Sequence, residues 1–142
     1  KSKLFWRTQV AYSLMDTASI CLLAFGFGMC YTLGELVEAI NYATGWETNF
    51  YEMMMAAERR LQLMRAFNIR EGFTSEDDQL PEKMFTPLKG GITDGFHIDR
   101  EAFLETREFY YEMAGWTGEN GAPTKYRLSS LNLDWVIDYI YS

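Results

Sequence analysis

Apolar residues recur at helical spacing along most of this chain, and the residues between the recurrences are those that start and stop helices. Over residues 3–15, Leu4, Val10, Leu14 and Met15 fall among polar positions, which predicts a helix. Residues 21–31 then form an apolar run broken by Gly26 and Gly28. Thr32-Leu33-Gly34-Glu35 reads as a capping box, in which the hydroxyl and the glutamate each satisfy a backbone N–H at a helix start. It opens a helix with Leu33, Leu36, Val37 and Ile40 on one face, ending near Gly45. Asn49-Phe50-Tyr51-Glu52 repeats the signal and opens the longest helix of the chain. Its stripe is Phe50, Met53, Ala57, Leu61, Met64 and Phe67, with Arg59 and Arg60 on another side. Gly72 follows as the usual left-handed terminator.

No period survives over residues 72–98, which hold Pro81, Pro87, Gly90, Gly91 and Gly95. A loop of that length is too long for a mere connector, and it reads as structure packed over a neighbour rather than a lid. Asp99 caps a further helix with Ala102, Phe103, Phe109, Tyr110 and Met113 on its apolar side. Glu101, Glu105, Glu108 and Glu112 form its solvated side, and Gly115 ends it. Asn120-Gly121-Ala122-Pro123 is a turn, and Thr124 caps a short helix to Leu131. Residues 134–140 fit either a last helix or a strand. The pattern predicts an all-α, multihelical fold.

Composition narrows the function classes. The net charge of −7 argues against nucleic acid, which needs clustered Lys and Arg, and against an anionic membrane surface. The longest apolar run has about a dozen residues, short of the roughly 20 that span a bilayer. Two cysteines are too few for a disulfide scaffold, and the apolar residues around both suggest buried thiols in a reducing cytoplasm. The first residues already read as mid-helix, so the chain is expected to be a piece of a longer polypeptide.

The candidate chemistry centres on Asp16-Thr17-Ala18-Ser19-Ile20-Cys21, where a carboxylate and a thiol flank a helix end. Asp16 reads equally as a ligand contact or a helix-end residue, and Cys21 as a metal ligand or a buried structural thiol. Cys30 reads as structural. The single histidine, His97, lacks the partners of a zinc site or a catalytic triad. Asp77 and Asp78, with Glu71, Glu76 and Glu82, lack the spacing of a calcium loop and read as a solvated acidic segment. Gly26-Phe27-Gly28 lacks the third glycine of a dinucleotide fingerprint. Met53-Met54-Met55 reads as core. Trp46, Trp116 and Trp135 read as packing anchors or as pocket walls.

Longer blocks carry a family resemblance. Ala66-Phe67-Asn68-Ile69-Arg70-Glu71-Gly72-Phe73 is followed by Asp77-Asp78-Gln79-Leu80-Pro81. Tyr110-Tyr111 stands before Gly115-Trp116, and Gly121-Ala122-Pro123-Thr124 precedes Leu128 and Leu131. In this order and spacing the chain resembles the C-terminal end of the aldehyde ferredoxin oxidoreductase family, tungsten enzymes with a bis-pterin cofactor and one [4Fe-4S] cluster. The family motif Asp-x-x-Gly-x-Cys matches Asp16 to Cys21, with Ser19 at the glycine and Ile20 where Leu is common. The resemblance implies that Asp16 contacts the pterin and that Cys21 is the fourth cluster ligand. Serine accepts a positive φ less readily than glycine, so the turn at Ser19 is expected to differ. The apolar run after Cys21 is expected to form a dry shell around the cluster.

The resemblance also implies a function. The complete enzyme would oxidise aldehydes to carboxylic acids and pass electrons, one at a time through the cluster, to ferredoxin or an iron-sulfur subunit. The tungsten (or molybdenum) bis-pterin and the other three cluster cysteines would lie in an N-terminal cofactor-binding domain of the same protein. Residues 1–142 would be the C-terminal helical region, either one unit or cofactor-proximal helices over 1–72 and a loop with C-terminal helices over 73–142. Alone, this stretch is expected to bind neither group and to be inactive. A second reading within the family is the active-site subunit of a class II benzoyl-CoA reductase. A reading of another class is a cofactor-free helical interaction module.

Overall fold

The computed structural model describes residues 2–25 and 30–141, and every regular element in them is helical. The elements are α1 (Ser2–Thr17), α2 (Leu22–Phe25), α3 (Leu33–Thr44), α4 (Phe50–Arg70), α5 (Arg100–Ala114), α6 (Lys125–Ser130) and α7 (Asp134–Ile140). Two 3₁₀ turns, Glu82–Met84 and Gly91–Thr93, lie in the long loop before α5. Gly26, Phe27 and Gly28 lie outside the described residues.

The expected helix starts form through their own side chains. Glu35 N donates to Thr32 Oγ1 at 3.2 Å, and Thr32 N donates to Glu35 Oε2 at 2.6 Å. Asn49 and Glu52 make the same reciprocal pair on α4. Asp99 and Thr124 accept from the N–H groups of Ala102 and Arg127. Residues 134–140 resolve as helix rather than strand. Val136 is buried there, with Ile137 and Ile140 packed on the same core, a three-to-four spacing that only a helix brings to one face.

Two apolar clusters result. The first joins Trp6, Val10, Leu14 and Met15 of α1 to Leu36 and Val37 of α3, Met53 and Ala57 of α4, and Ala114 of α5. The second joins Ala66 of α4 to Leu128, Leu131, Leu133 and Val136. Helix α4 serves both, and its buried face departs from the expected stripe. Met53 and Ala57 are buried, but Met64 and Phe67 are 50% and 55% exposed. The buried positions continue instead through Gln62, Arg65 and Ala66.

Those two polar residues lie on α4 between Ala57 of the first cluster and Ala66 of the second. Gln62 is fully buried; its Nε2 donates to Ala114 O and its Oε1 accepts from Trp116 Nε1, both at 2.8 Å. Burial of an amide costs little when both ends are bonded. Arg65 donates through Nε to Gly121 O at 2.8 Å, and both terminal nitrogens reach Asp78, Nη1 at 3.1 Å from Oδ1 and Nη2 at 2.7 Å from Oδ2. Its guanidinium carbon lies 4.6 Å from the centre of the Trp116 ring.

Asp78 is therefore not part of a solvated acidic segment, as its sequence neighbours suggested. It faces inward to Arg65 and also accepts from Tyr111 Oη. Asp77 only closes a local turn, accepting from Thr74 N. Arg107 Nη1 adds a bond to Ser75 O at 2.8 Å, and Ser75 Oγ donates to Glu119 O at 2.9 Å. The start of the long loop is thus packed structure, as expected. Its outer part bonds mainly to itself, through Leu88 with Phe96 and Met84 with Ile98.

Candidate functional site

The site motif occupies the end of α1. Ile20 N donates to Met15 O at 2.9 Å and Ser19 N to Asp16 O at 3.1 Å. Ser19 has φ 55. This is the Schellman ending, in which one left-handed residue lets two N–H groups cap the last carbonyls. Ile20 packs against the first cluster, beside the fully buried Met15. Ser19 therefore takes the left-handed conformation that a glycine takes most easily, despite its side chain. Gly72, Gly115 and Asn132 close α4, α5 and α6 with the same pair of bonds.

In the chain, Asp16 precedes this turn and Cys21 follows it. Cys21 is an exposed free thiol immediately before the single turn of α2. Cys30 is also free and exposed. Neither thiol is buried within this chain, contrary to the sequence expectation. The described part of the apolar run is turned outward as well, with Leu23 76% exposed and Tyr31 51%. It makes no dry shell within this chain, because α2 is one turn long and directs both of its leucines to the surface.

Asp16 is held from α4. Arg60 Nη2 lies 3.3 Å from Asp16 Oδ2, and Arg60 Nη1 donates to Ser13 Oγ at 3.3 Å. Ser13, almost fully buried, donates in turn to Ala57 O at 2.9 Å. Sequence reasoning missed Arg60 and Ser13 as parts of the site. The available signal was an arginine one helical turn from the apolar Ala57 on the longest helix. A groove of about 800 Å³ borders the turn at Ala18 and Ile20; Leu14, Ile40, Trp46 and Met53 line it, with Arg59 at its edge.

The other candidates fall elsewhere. His97 is exposed, with Nδ1 3.1 Å from Gly95 O. Of the methionine run, Met53 is buried and Met54 and Met55 half-buried. Trp116 anchors packing in both senses, under Arg65 and against Tyr110 and Tyr111. Trp46 and Trp135 instead line surface grooves.

Among the described residues no three His, Cys, Asp or Glu side chains stand together as a metal site. What the turn offers is one soft donor, Cys21, and one carboxylate, Asp16. That set fits a single ligand position of an iron-sulfur cluster, which takes four thiolates. It also fits one hydrogen-bond acceptor for the N–H groups of a neighbouring cofactor.

The regular elements of the described residues are thus all helical, and around the Ser19 turn stand one exposed thiol and one half-exposed carboxylate. Residues 1–133 match the family model described as aldehyde ferredoxin oxidoreductase, domains 2 and 3, and the chain belongs to that family. It is 29% identical over 136 residues to the tungsten-containing aldehyde ferredoxin oxidoreductase of Pyrococcus furiosus, a match covering 94% of this chain and 21% of that protein. The enzyme of the same name from Pyrococcus abyssi is 30% identical over 128 residues, covering 88% and 20%. Among solved structures, the active site complex BamBC of benzoyl coenzyme A reductase, in complex with 1,5-dienoyl-CoA, superposes with a TM-score of 0.80 at 26% identity. That alignment covers 96% of this chain and 20% of the other. The chain thus spans about one fifth of the relatives it matches. Among the described residues, no helix is long and apolar enough to cross a membrane.

Proposed function

We propose that this chain is the C-terminal helical part of a tungsten-pterin, [4Fe-4S] oxidoreductase that oxidises aldehydes to carboxylic acids and passes the electrons to ferredoxin. The observation that carries the reading is the Ser19 turn. It has a left-handed backbone and leaves the Cys21 thiol exposed, in a chain whose residues 1–133 match the family model.

In this reading Cys21 is the fourth cluster ligand. Its thiol gives up a proton to bind iron, since the thiolate is the ligand form. Asp16 accepts a hydrogen bond from the pterin. The remaining three cysteines and the other pterin contacts come from the N-terminal cofactor-binding domain of the same protein, in the reducing cytoplasm. When bound, the tungsten bis-pterin would supply the two-electron redox chemistry and the cluster would carry the electrons one at a time. The exposed Leu22 and Leu23 beside Cys21 pack against that domain and help exclude water from the cluster.

The likeness to the benzoyl coenzyme A reductase complex supports a second reading. Cys21 and Asp16 keep their roles there, and the substrate is an aromatic acyl thioester rather than an aldehyde. Assaying the complete protein with both substrate classes separates the two.

The ligand assignment is tested on the complete protein by iron analysis. Cys21→Ala is expected to lower bound iron sharply, while Cys30→Ala leaves it unchanged. Wild-type iron and an intact cluster spectrum in Cys21→Ala would overturn the assignment.

A further inference from the structure

We infer that Arg60 is a positioning residue for Asp16, fixing the carboxylate that meets the pterin. The inference rests on the Asp16 assignment proposed above and adds a residue to it.

Ser13 and Asp16 lie one turn apart on the same side of α1, and the Arg60 fork spans them. Nη1 takes the Ser13 hydroxyl and Nη2 takes Asp16 Oδ2, each at 3.3 Å. The fork is itself located by α4. Ser13 Oγ donates to Ala57 O, one turn before Arg60, so the hydroxyl that receives Arg60 is pinned to the same helix. A free aspartate at a helix end would sample several rotamers. Here Oδ2 is drawn toward the guanidinium by an ion pair at 3.3 Å, which biases the carboxylate's orientation and leaves Oδ1 for the cofactor. The pair is not a buried stability device: the side chains are 35% and 49% exposed, where an ion pair contributes little to folding. Its geometric effect on Asp16 is the larger one. Lysine would not substitute fully, because a single ammonium cannot reproduce a planar fork that bonds Ser13 through one nitrogen and pairs with Asp16 through the other.

The test measures how fast the complete, cofactor-loaded protein loses pterin on timed incubation, read by fluorescence of the oxidised pterin released. Arg60→Met, Asp16→Ala and the double variant form a mutant cycle. Arg60→Met is expected to speed the loss by about two- to fivefold, the range of a partly exposed ion pair. Asp16→Ala is expected to speed it as well, and the double variant to match Asp16→Ala. Arg60→Lys is expected to fall between wild type and Arg60→Met, and it serves in the same cycle if Arg60→Met does not fold. Wild-type loss in Arg60→Met beside fast loss in Asp16→Ala would overturn the inference and leave the Asp16 assignment standing. A double variant faster than Asp16→Ala by the full Arg60→Met factor would also overturn it, since Arg60 would then act through helix packing alone. Unchanged loss in Asp16→Ala would defeat the Asp16 assignment itself, and the inference with it.

Discussion

Arg65 and Asp78, thirteen positions apart in the sequence, face each other through two nitrogen-oxygen contacts of 3.1 and 2.7 Å. The arginine is 7% exposed and the aspartate 34%, so the loop supplies the charge that the helix buries.

Removing that charge strands the guanidinium. Asp78→Ala is expected to destabilise the fold by about 2–3 kcal/mol, the range for a charged hydrogen-bonded pair with one buried member. Chemical denaturation measures the loss. Limited proteolysis should show faster cleavage between residues 74 and 98, because Asp78 roots that loop.

Gly121 has φ 73, and a Cβ there would collide with the Arg65 guanidinium and lie 3.2 Å from a Tyr111 ring carbon. Gly45 has nearly the same φ, 74, with nothing near its missing Cβ. Gly45→Ala is expected to cost about 1–2 kcal/mol of backbone strain alone. Gly121→Ala should cost at least about 1 kcal/mol more, since Arg65 must also move. Equal losses in the two variants by denaturant titration would refute the steric part.

Ser19 bears strain that glycine would relieve. Ser19→Gly is expected to raise stability by about 0.5–1 kcal/mol, net of the entropy that glycine adds to the unfolded chain. Ser19→Val, with a β-branched side chain at φ 55, should lower it by more than Ser19→Gly raises it. Thermal unfolding of the two variants checks both signs.

Burial pushes the phenols of Tyr110 and Tyr111 up from 10 to about 12; for Tyr111 the Asp78 carboxylate adds to the rise, while for Tyr110 a bond to Gln9 opposes it. Each phenol holds its proton more tightly when folded. Their contribution to stability is therefore complete below pH 10 and falls as pH rises through 12. Denaturation midpoints across that range should decline, and Tyr111→Phe should flatten the decline.

What the sequence revealed follows from the range of each interaction. Thr32 with Glu35, Asn49 with Glu52, Asp99 and Thr124 cap their helices within three residues, so local spacing contains the whole signal. Gln62 and Arg65 were missed because their partners lie 52 and 56 residues away, at Ala114 and Gly121. Periodicity alone extended the α4 stripe to Met64 and Phe67, since it credits apolar residues and cannot see a buried amide whose bonds are satisfied. The candidate site divides the same way. Asp16 and Cys21 stood out as a motif, while Arg60 and Ser13 belong to it only through the meeting of two helices.

Helix α4 is bonded across its length to parts of the chain that do not touch one another in sequence: Ala57 and Arg60 to α1, Gln62 to the end of α5, Arg65 to the turn at Gly121. A slip of one residue would shift these groups together by about 1.5 Å along the axis and turn them by about 100° around it. Every one of the bonds would break at once. The register of α4 is accordingly all-or-none, and the place of Asp16 is fixed by the same choice that seats the C-terminal helices.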